Sequence, residues 1–147
     1  MDEQTPNALM RLPSWLLTQN AAQAQRIVSE TFAAAGARAY HFRLLATLVE
    51  FGPASQAAIG RRSCIDRSDV VAALNELEAD GYVERTPDPD DGRRNIITIT
   101  TTGRRHYRRL TSVVNKAQDE IFAPLSATDR ARLTTILSKL LSHYQAD

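Results

Sequence analysis

Asp88-Pro89-Asp90-Asp91-Gly92-Arg93-Arg94-Asn95 sits between two runs that read as β-strands. Gly81-Tyr82-Val83-Glu84-Arg85-Thr86 precedes it, and Ile96-Ile97-Thr98-Ile99-Thr100-Thr101 follows it. Alternation of β-branched and polar residues on both sides predicts paired strands, and the Pro/Asp/Gly cluster predicts the turn between them. The result is a hairpin over roughly Tyr82 to Thr101 with Arg93 and Arg94 at its tip.

The elements upstream give that hairpin its setting. The first dozen residues read as an arm broken by Pro6 and Pro13. Ser14 then caps a long helix to about Ala35, with Trp15, Leu16, Ile27, Val28 and Phe32 as its apolar positions. A terminal helix this long and this poor in charge suits packing against a partner chain. A second helix fits Arg38 to Phe51, with Phe42, Leu45, Leu48 and Val49 on one face, and Gly52-Pro53 ends it. Ser55 is the expected N-cap of a short helix from Gln56 to Ser63. After a tight turn at Ser63-Cys64-Ile65, a fourth helix fits Arg67 to Asp80, capped by Asp66 and closed by Gly81 in a left-handed conformation.

Downstream of the hairpin, a fifth helix begins near Thr102-Gly103 and reaches about Ile121. Its first half carries Arg104, Arg105, Arg108 and Arg109, which read as a solvated face or a salt-bridge surface. A sixth helix opens with the capping-box-like Ser126-Ala127-Thr128-Asp129. Leu133, Ile136, Leu137, Leu140, Leu141 and Tyr144 recur along it at helical spacing, a stripe that must be covered.

Helix, short helix, tight turn, helix and hairpin together spell a winged helix-turn-helix. The second helix of such a pair enters the DNA major groove with its N-terminal part on base edges. Val70, Leu74 and Leu77 recur at i, i+4 and i+7 and face the core with Ala73. Arg67, Ser68, Val71, Ala72 and Asn75 are left facing outward. Arg67 and Ser68 lie at the N-terminal turn; Asn75 can pair bidentately with adenine, and Val71 and Ala72 can touch thymine methyl groups. A plain solvated face is the alternative. Ser55 and Gln56, at the start of the short helix, complete the candidate DNA-binding set with Asp91, Arg93 and Arg94. A rigid hairpin presenting guanidinium groups suits the narrow, electronegative minor groove.

The run from Ile65 to Arg94, followed by Ile99-Thr100-Thr101-Thr102-Gly103, resembles the MarR family of bacterial transcriptional regulators. The wing pattern Asp-x-Arg stands here as Asp91-Gly92-Arg93, and Leu-Thr-x-x-Gly as Ile99 to Gly103. The resemblance implies a mainly α fold with a small β-hairpin wing and a triangular homodimer. Residues 1–36 and 104–147 would form the helical dimerisation region, and 37–103 the winged DNA-binding domain. It implies a regulator, expected to repress, that binds double-stranded DNA at a palindromic operator. Arg93 would enter the minor groove with Asp91 as its orienting partner; a simple turn residue is the alternative for Asp91. Arg94 would be a second groove residue or a phosphate contact. The resemblance also implies release by a small aromatic or phenolic effector, for which Trp15, Tyr40, His41 and Arg43 are candidates by position.

The chain departs from the family pattern at several places. Val71-Ala72 stands where many members carry Thr-Arg, which removes guanine readout from that position. Ser63-Cys64 stands in the turn where Leu-Gly is usual, with Ser63 at a core position. Gly60 lies inside the short helix, where close approach of another backbone is expected.

Composition bounds the rest. The 147 residues are 43% hydrophobic, enough for one domain or two packed subdomains. Net charge is +1, so total charge says nothing about nucleic acid, but ten Arg and no Lys lie between Arg61 and Arg109. Arg offers forked donation to phosphate and guanine, although genomic base composition also enriches it. One cysteine, Cys64, excludes an intrachain disulfide and fits a reducing compartment. With no signal-like start and no long apolar run, no membrane association is expected, and the expected location is the cytoplasm. Cys64 reads as a small, half-buried turn residue, with a redox sensor as the alternative. His41, His106 and His143 are too scattered for a metal site, and no cofactor is expected. Without a nucleophile–base pair or a Gly-rich phosphate loop, an enzyme is not expected. A winged-helix module that binds protein instead of DNA is the competing class, and Arg67, Arg93 and Arg94 argue against it.

Overall fold

The computed structural model describes residues 4–146. The chain order is α1 (Asn7–Met10), α2 (Pro13–Ala34), α3 (Ala39–Phe51), β1 (Ala54–Ser55), α4 (Gln56–Ser63), α5 (Arg67–Ala79), β2 (Val83–Pro87), β3 (Asn95–Ile99), α6 (Thr101–Ile121) and α7 (Ala127–Gln145). The mainly helical fold with a small β wing is therefore present. Two features were not legible beforehand. The expected arm contains the one-turn helix α1, and the hairpin gains a third strand, β1, in the order β1-β3-β2.

Two compact units divide the chain. Val28–Asn115 forms one; the segments up to Ile27 and from Lys116 onward form the other. The first extends beyond 37–103 at both ends: Phe32 of α2 and Leu110 of α6 belong to its core, and Val28, Tyr107, Val113 and Val114 pack against it partly buried.

In the Val28–Asn115 unit the core joins Phe32, Leu44, Leu45 and Leu48 to Ile59 of α4 and to Val70, Ala73, Leu74 and Leu77 of α5. The 3.6-residue period of α5 thus buries the expected face. On α3 the buried set is His41, Leu44, Leu45, Thr47 and Leu48, while Val49, read as a core position, is exposed. Leu44 takes its place because the buried stripe of α3 is centred one position earlier. Phe42 links two elements, its ring 6.5 Å from Phe32 and stacked 5.6 Å from Tyr107. The sheet closes the core with Val83, Ile97 and Ile99, whose inward alternation follows from the pairs Val83↔Ile99 and Arg85↔Ile97.

The start of α6 is set by contacts to the end of α5. Thr100 Oγ1 donates to the Gly81 carbonyl at 2.7 Å and accepts the Gly103 N–H at 2.9 Å, capping the helix. Gly81 has φ +76°, as its place after α5 required. Gly103 packs directly on the Tyr82 carbonyl, where a Cβ would collide. Gly60, in contrast, faces the Val70 side chain and no backbone: a Cβ there would lie 3.4 Å from Val70 Cγ2.

In the other unit, α7 is capped by Ser126 Oγ, which accepts the Asp129 N–H at 3.1 Å. Arg130 pairs with Asp119 at 2.9 Å. No residue of α7 is buried, and Ile136, Leu137, Leu140, Leu141 and Tyr144 are exposed.

Candidate nucleic-acid interface

The turn between α4 and α5 is held from α3. Arg43 Nη2 donates to the carbonyls of Ser63 and Cys64, both at 2.6 Å, and Nε donates to Ser63 at 3.1 Å. One guanidinium thus satisfies carbonyls at the C-terminus of α4 that have no intrahelical partner. Ser63 is buried without penalty, because its hydroxyl donates to the Gly60 carbonyl at 3.2 Å. Cys64 caps α4 in the left-handed region, φ 55°. It is exposed, contrary to the half-buried place expected of it, because the αL cap turns its side chain away from the core. Asp66 occupies the N-cap of α5 but makes no side-chain capping bond.

This turn fixes the direction of α5, whose outward face is the expected one: Arg67, Ser68, Val71, Ala72 and Asn75 are all exposed. Val71 keeps 37% of its surface in solvent, a β-branched apolar side chain on the exposed face.

Three Asp–Arg pairs organise the wing: Arg93–Asp91, Arg94–Asp88 and, at 3.8 Å, Arg94 Nε with Asp91 Oδ2. Asp91 Oδ1 accepts both the backbone N–H of Arg93, at 3.1 Å, and its Nε–H, at 3.2 Å. The pair uses one carboxylate oxygen. The backbone N–H and then the guanidinium of Arg93 hold the Asp91 carboxyl below its ordinary range. Arg93 is nevertheless 92% exposed, oriented at its base and free at its end. Arg94 Nη2 donates to Asp88 Oδ2 at 3.0 Å, and Asp88 is buried. Asp88 Oδ1 accepts the Asp90 N–H at 2.9 Å, and the Asp88 N–H donates to the Arg94 carbonyl at 2.8 Å. Asp88 is thus the clasp of the hairpin end; its only signal in the sequence was its place beside Pro89 in the turn.

A groove of about 790 Å³ runs between the start of α4, the start of α5 and the wing. It brings together Ser55, Gln56, Arg67, Arg93 and Arg94 of the expected set and adds Arg61. Four arginines and one carboxylate, Asp66, line it; Arg93 and Arg94 are paired with Asp91 and Asp88, and Arg61 and Arg67 leave a net positive surface that suits an anion. Ser55 lines it while its hydroxyl accepts the Ala58 N–H, capping α4. Ser68, Val71, Ala72 and Asn75 lie outside the groove on the exposed face of α5, and Asp91, also outside it, is bonded to Arg93.

The sequence profile of the MarR family matches residues 37–94, the span that builds this groove. A putative transcriptional regulatory protein for the hcr operon of Thauera aromatica is 31% identical over 86 residues, 58% of this chain and 52% of that protein. Over residues 37–94 the chain is similar to the MarR family. The transcriptional repressor NicR of Pseudomonas putida is 25% identical over 100 residues, 68% of this chain and 63% of that protein. The matched stretches thus span between about half and two thirds of these two curated relatives. The structure of BpsR from Bordetella bronchiseptica, described for regulation of its DNA binding by 6-hydroxynicotinic acid, superposes with a TM-score of 0.79. It is 21% identical, and the match covers 92% of this chain and 97% of that one. That likeness bears on the fold.

Of the residues suggested for an effector, Tyr40, His41 and Arg43 lie on α3 and Trp15 lies on α2. Arg43 is committed to the α4–α5 turn, with its guanidinium 5.5 Å from the exposed Tyr40 ring. His41 is buried and bonded to α5: its Nε2 meets Glu76 Oε2 at 2.8 Å. Trp15 is half-buried on α2, in the other compact unit. His106 stacks on Tyr82 at 4.0 Å. Burial, helped by the nearby Arg109 and His41, pulls its imidazole below the ordinary value. Among the described residues no group of His, Cys, Asp and Glu side chains is placed to hold a metal ion. No helix among them is long and apolar enough to cross a membrane.

Proposed function

We propose that this chain is a cytoplasmic, homodimeric transcriptional repressor that binds a palindromic operator and is released by a small aromatic or phenolic acid. The observation that carries the reading is the arginine-lined groove, where the start of α5 and the tip of the wing come together. Arg67 and Ser68 would meet the edge of the major groove, and Asn75, Val71 and Ala72 would read bases deeper along α5. Arg93 would reach the minor groove, where negative potential favours a guanidinium. Arg94, clasped to Asp88, would lie beside a phosphate, with Ser55 and Gln56 touching the same strand.

Dimer formation is supported by α7, which leaves Ile136, Leu137, Leu140, Leu141 and Tyr144 exposed. Contiguous apolar surface of this kind is normally covered by a partner. Dimeric MarR-type reading would place two copies of α5 in successive major grooves, about 34–36 Å apart. The repressor sense and the aromatic effector extend to this chain what the names of NicR and BpsR say of those proteins.

The test is selection of duplexes from a random pool by the purified protein at near-physiological salt. Enrichment of an inverted repeat with half-sites about one helical turn apart is expected. A pool that stays random after repeated rounds would overturn the reading.

A further inference from the structure

Glu76 lies on α5 immediately after the exposed Asn75, but its carboxylate turns back to α3. Oε2 lies 2.8 Å from His41 Nε2, and Oε1 accepts from Arg38 Nη1 at 2.9 Å. A carboxylate has no proton to give, so the imidazole is the donor in the first contact. The two arms differ. The His41 side chain is 9% exposed, whereas the Arg38 side chain is 70% exposed and Glu76 lies between at 37%. The buried arm is screened little by solvent and has a fixed geometry; the outer arm is open to water.

The place of these contacts gives them leverage. The apolar residues of α5 set its depth in the core, but apolar packing is non-directional and restrains rotation about the helix axis less than a bond with fixed geometry. Glu76 ties α5 at one point on its circumference to α3. Arg43, on the same helix α3, ties down the turn that begins α5. Two polar contacts from α3, one at the Ser63-Cys64 turn that precedes α5 and one at Glu76 within it, therefore fix both the start and the roll of the helix that carries Arg67, Ser68, Val71, Ala72 and Asn75. Hydrogen-bond readout of a base edge tolerates errors of only a few tenths of an ångström.

We infer that Glu76 is a positioning residue for base recognition, which holds the roll of α5 through His41 and Arg38 and touches no DNA itself. The inference rests on the DNA-binding reading above.

Charge makes the inference separable from a general electrostatic effect. Glu76→Gln removes a negative charge from a helix proposed to lie against phosphates, so electrostatics alone predicts tighter binding to every duplex. A positioning role predicts the opposite for the operator only. The experiment is anisotropy titration of the selected operator and of a scrambled duplex of equal length at one salt concentration. The proteins are the wild type, Glu76→Gln, His41→Leu and His41→Gln, each checked for unchanged melting temperature and dimer mass.

Wild-type preference for the operator over the scrambled duplex establishes the parent reading; its absence overturns that reading and this one together. Given that preference, Glu76→Gln and His41→Leu are expected to weaken operator binding roughly tenfold, the scale of one hydrogen bond to a charged group. Scrambled-duplex binding should stay level or tighten. His41→Gln, whose amide can still donate, should recover most of the loss. Operator binding that tightens in parallel with scrambled binding, or falls equally for both, overturns the positioning role. A variant with lowered melting temperature is assayed below its transition, and the ratio of the two affinities still decides.

Discussion

One oxygen of Asp91 accepts two hydrogen bonds from Arg93, from its backbone N–H and from its guanidinium Nε–H. The bond to the backbone fixes the turn, and the bond to the side chain fixes the direction in which the guanidinium leaves it. The terminal nitrogens remain free, and a side chain 92% exposed is thereby oriented at its base. Pre-orientation of this kind lowers the rotamer entropy that remains to be lost when an arginine enters a groove.

Replacing Asp91 by Ala tests that arrangement. The substitution deletes a negative charge beside the proposed DNA contact, which by itself favours binding. Loss of orientation should outweigh it, and operator affinity should fall roughly tenfold, as expected when a charge-assisted bond is removed. Anisotropy at fixed salt measures it; tighter binding would show Asp91 to be a turn residue only.

Gly103 is the least replaceable residue of the wing's attachment. A Cβ there would meet the Tyr82 carbonyl and would lie 2.9 Å from Ile99 Cγ1. A carbonyl cannot move aside without disturbing the Thr100 cap. Gly103→Ala should therefore destabilise the fold by about 2–4 kcal/mol, an overpacking effect against backbone. Denaturant titration reads it directly, and a loss below about 0.5 kcal/mol, the range of ordinary surface substitutions, would contradict the close contact.

These two residues differ in how legible they were. Arg93 and its Asp91 partner, the outward face of α5 and the caps at Ser55 and Ser126 were readable, because each depends on local spacing. The buried stripe of α5 was readable for the same reason. The clasp at Asp88, the Glu76–His41 contact and the turn-holding role of Arg43 were not. Each joins residues that the fold brings together from different elements or across a turn, and a polar side chain carries no mark of its distant partner. His41 and Arg43, read as effector candidates, make these contacts within the protein. The strand β1 was missed because two residues, Ala54 and Ser55, carry no period. Cys64 misled in another way: its small side chain suggested partial burial, while its left-handed cap, φ 55°, turns it outward.

His106 gives a pH dependence with a definite sign. Its folded-state pKa is lowered, chiefly by burial and then by Arg109 and His41, with Asp80 opposing. The unfolded chain therefore binds a proton more readily, and stability falls as pH drops through the unfolded histidine value, about 6.5, toward the folded one. Above that window His106 contributes no pH dependence. Replacement by Phe keeps the stack on Tyr82 and removes the titration, so the slope of stability against pH between about 7 and 5 should flatten. An unchanged slope would assign the effect to other groups.

The exposed stripe of α7 makes a prediction about assembly. Sedimentation at micromolar concentration should show a dimer, and Leu141→Glu, which places a charge at a 56% exposed apolar position, should shift it toward monomer. The same variant should lose operator affinity, since each half-site would then be bound alone. A wild-type monomer, or a dimer indifferent to the substitution, would contradict the assignment of α7 to the interface.

Whether the wing reads DNA through Arg93 is decided by the operator affinity of wild type and Arg93→Ala at two salt concentrations. The variant is expected to lose about 1–3 kcal/mol, confined to the selected operator, with the wild-type salt dependence largely retained. Equal affinities of the two proteins for the operator at both salt concentrations would contradict it.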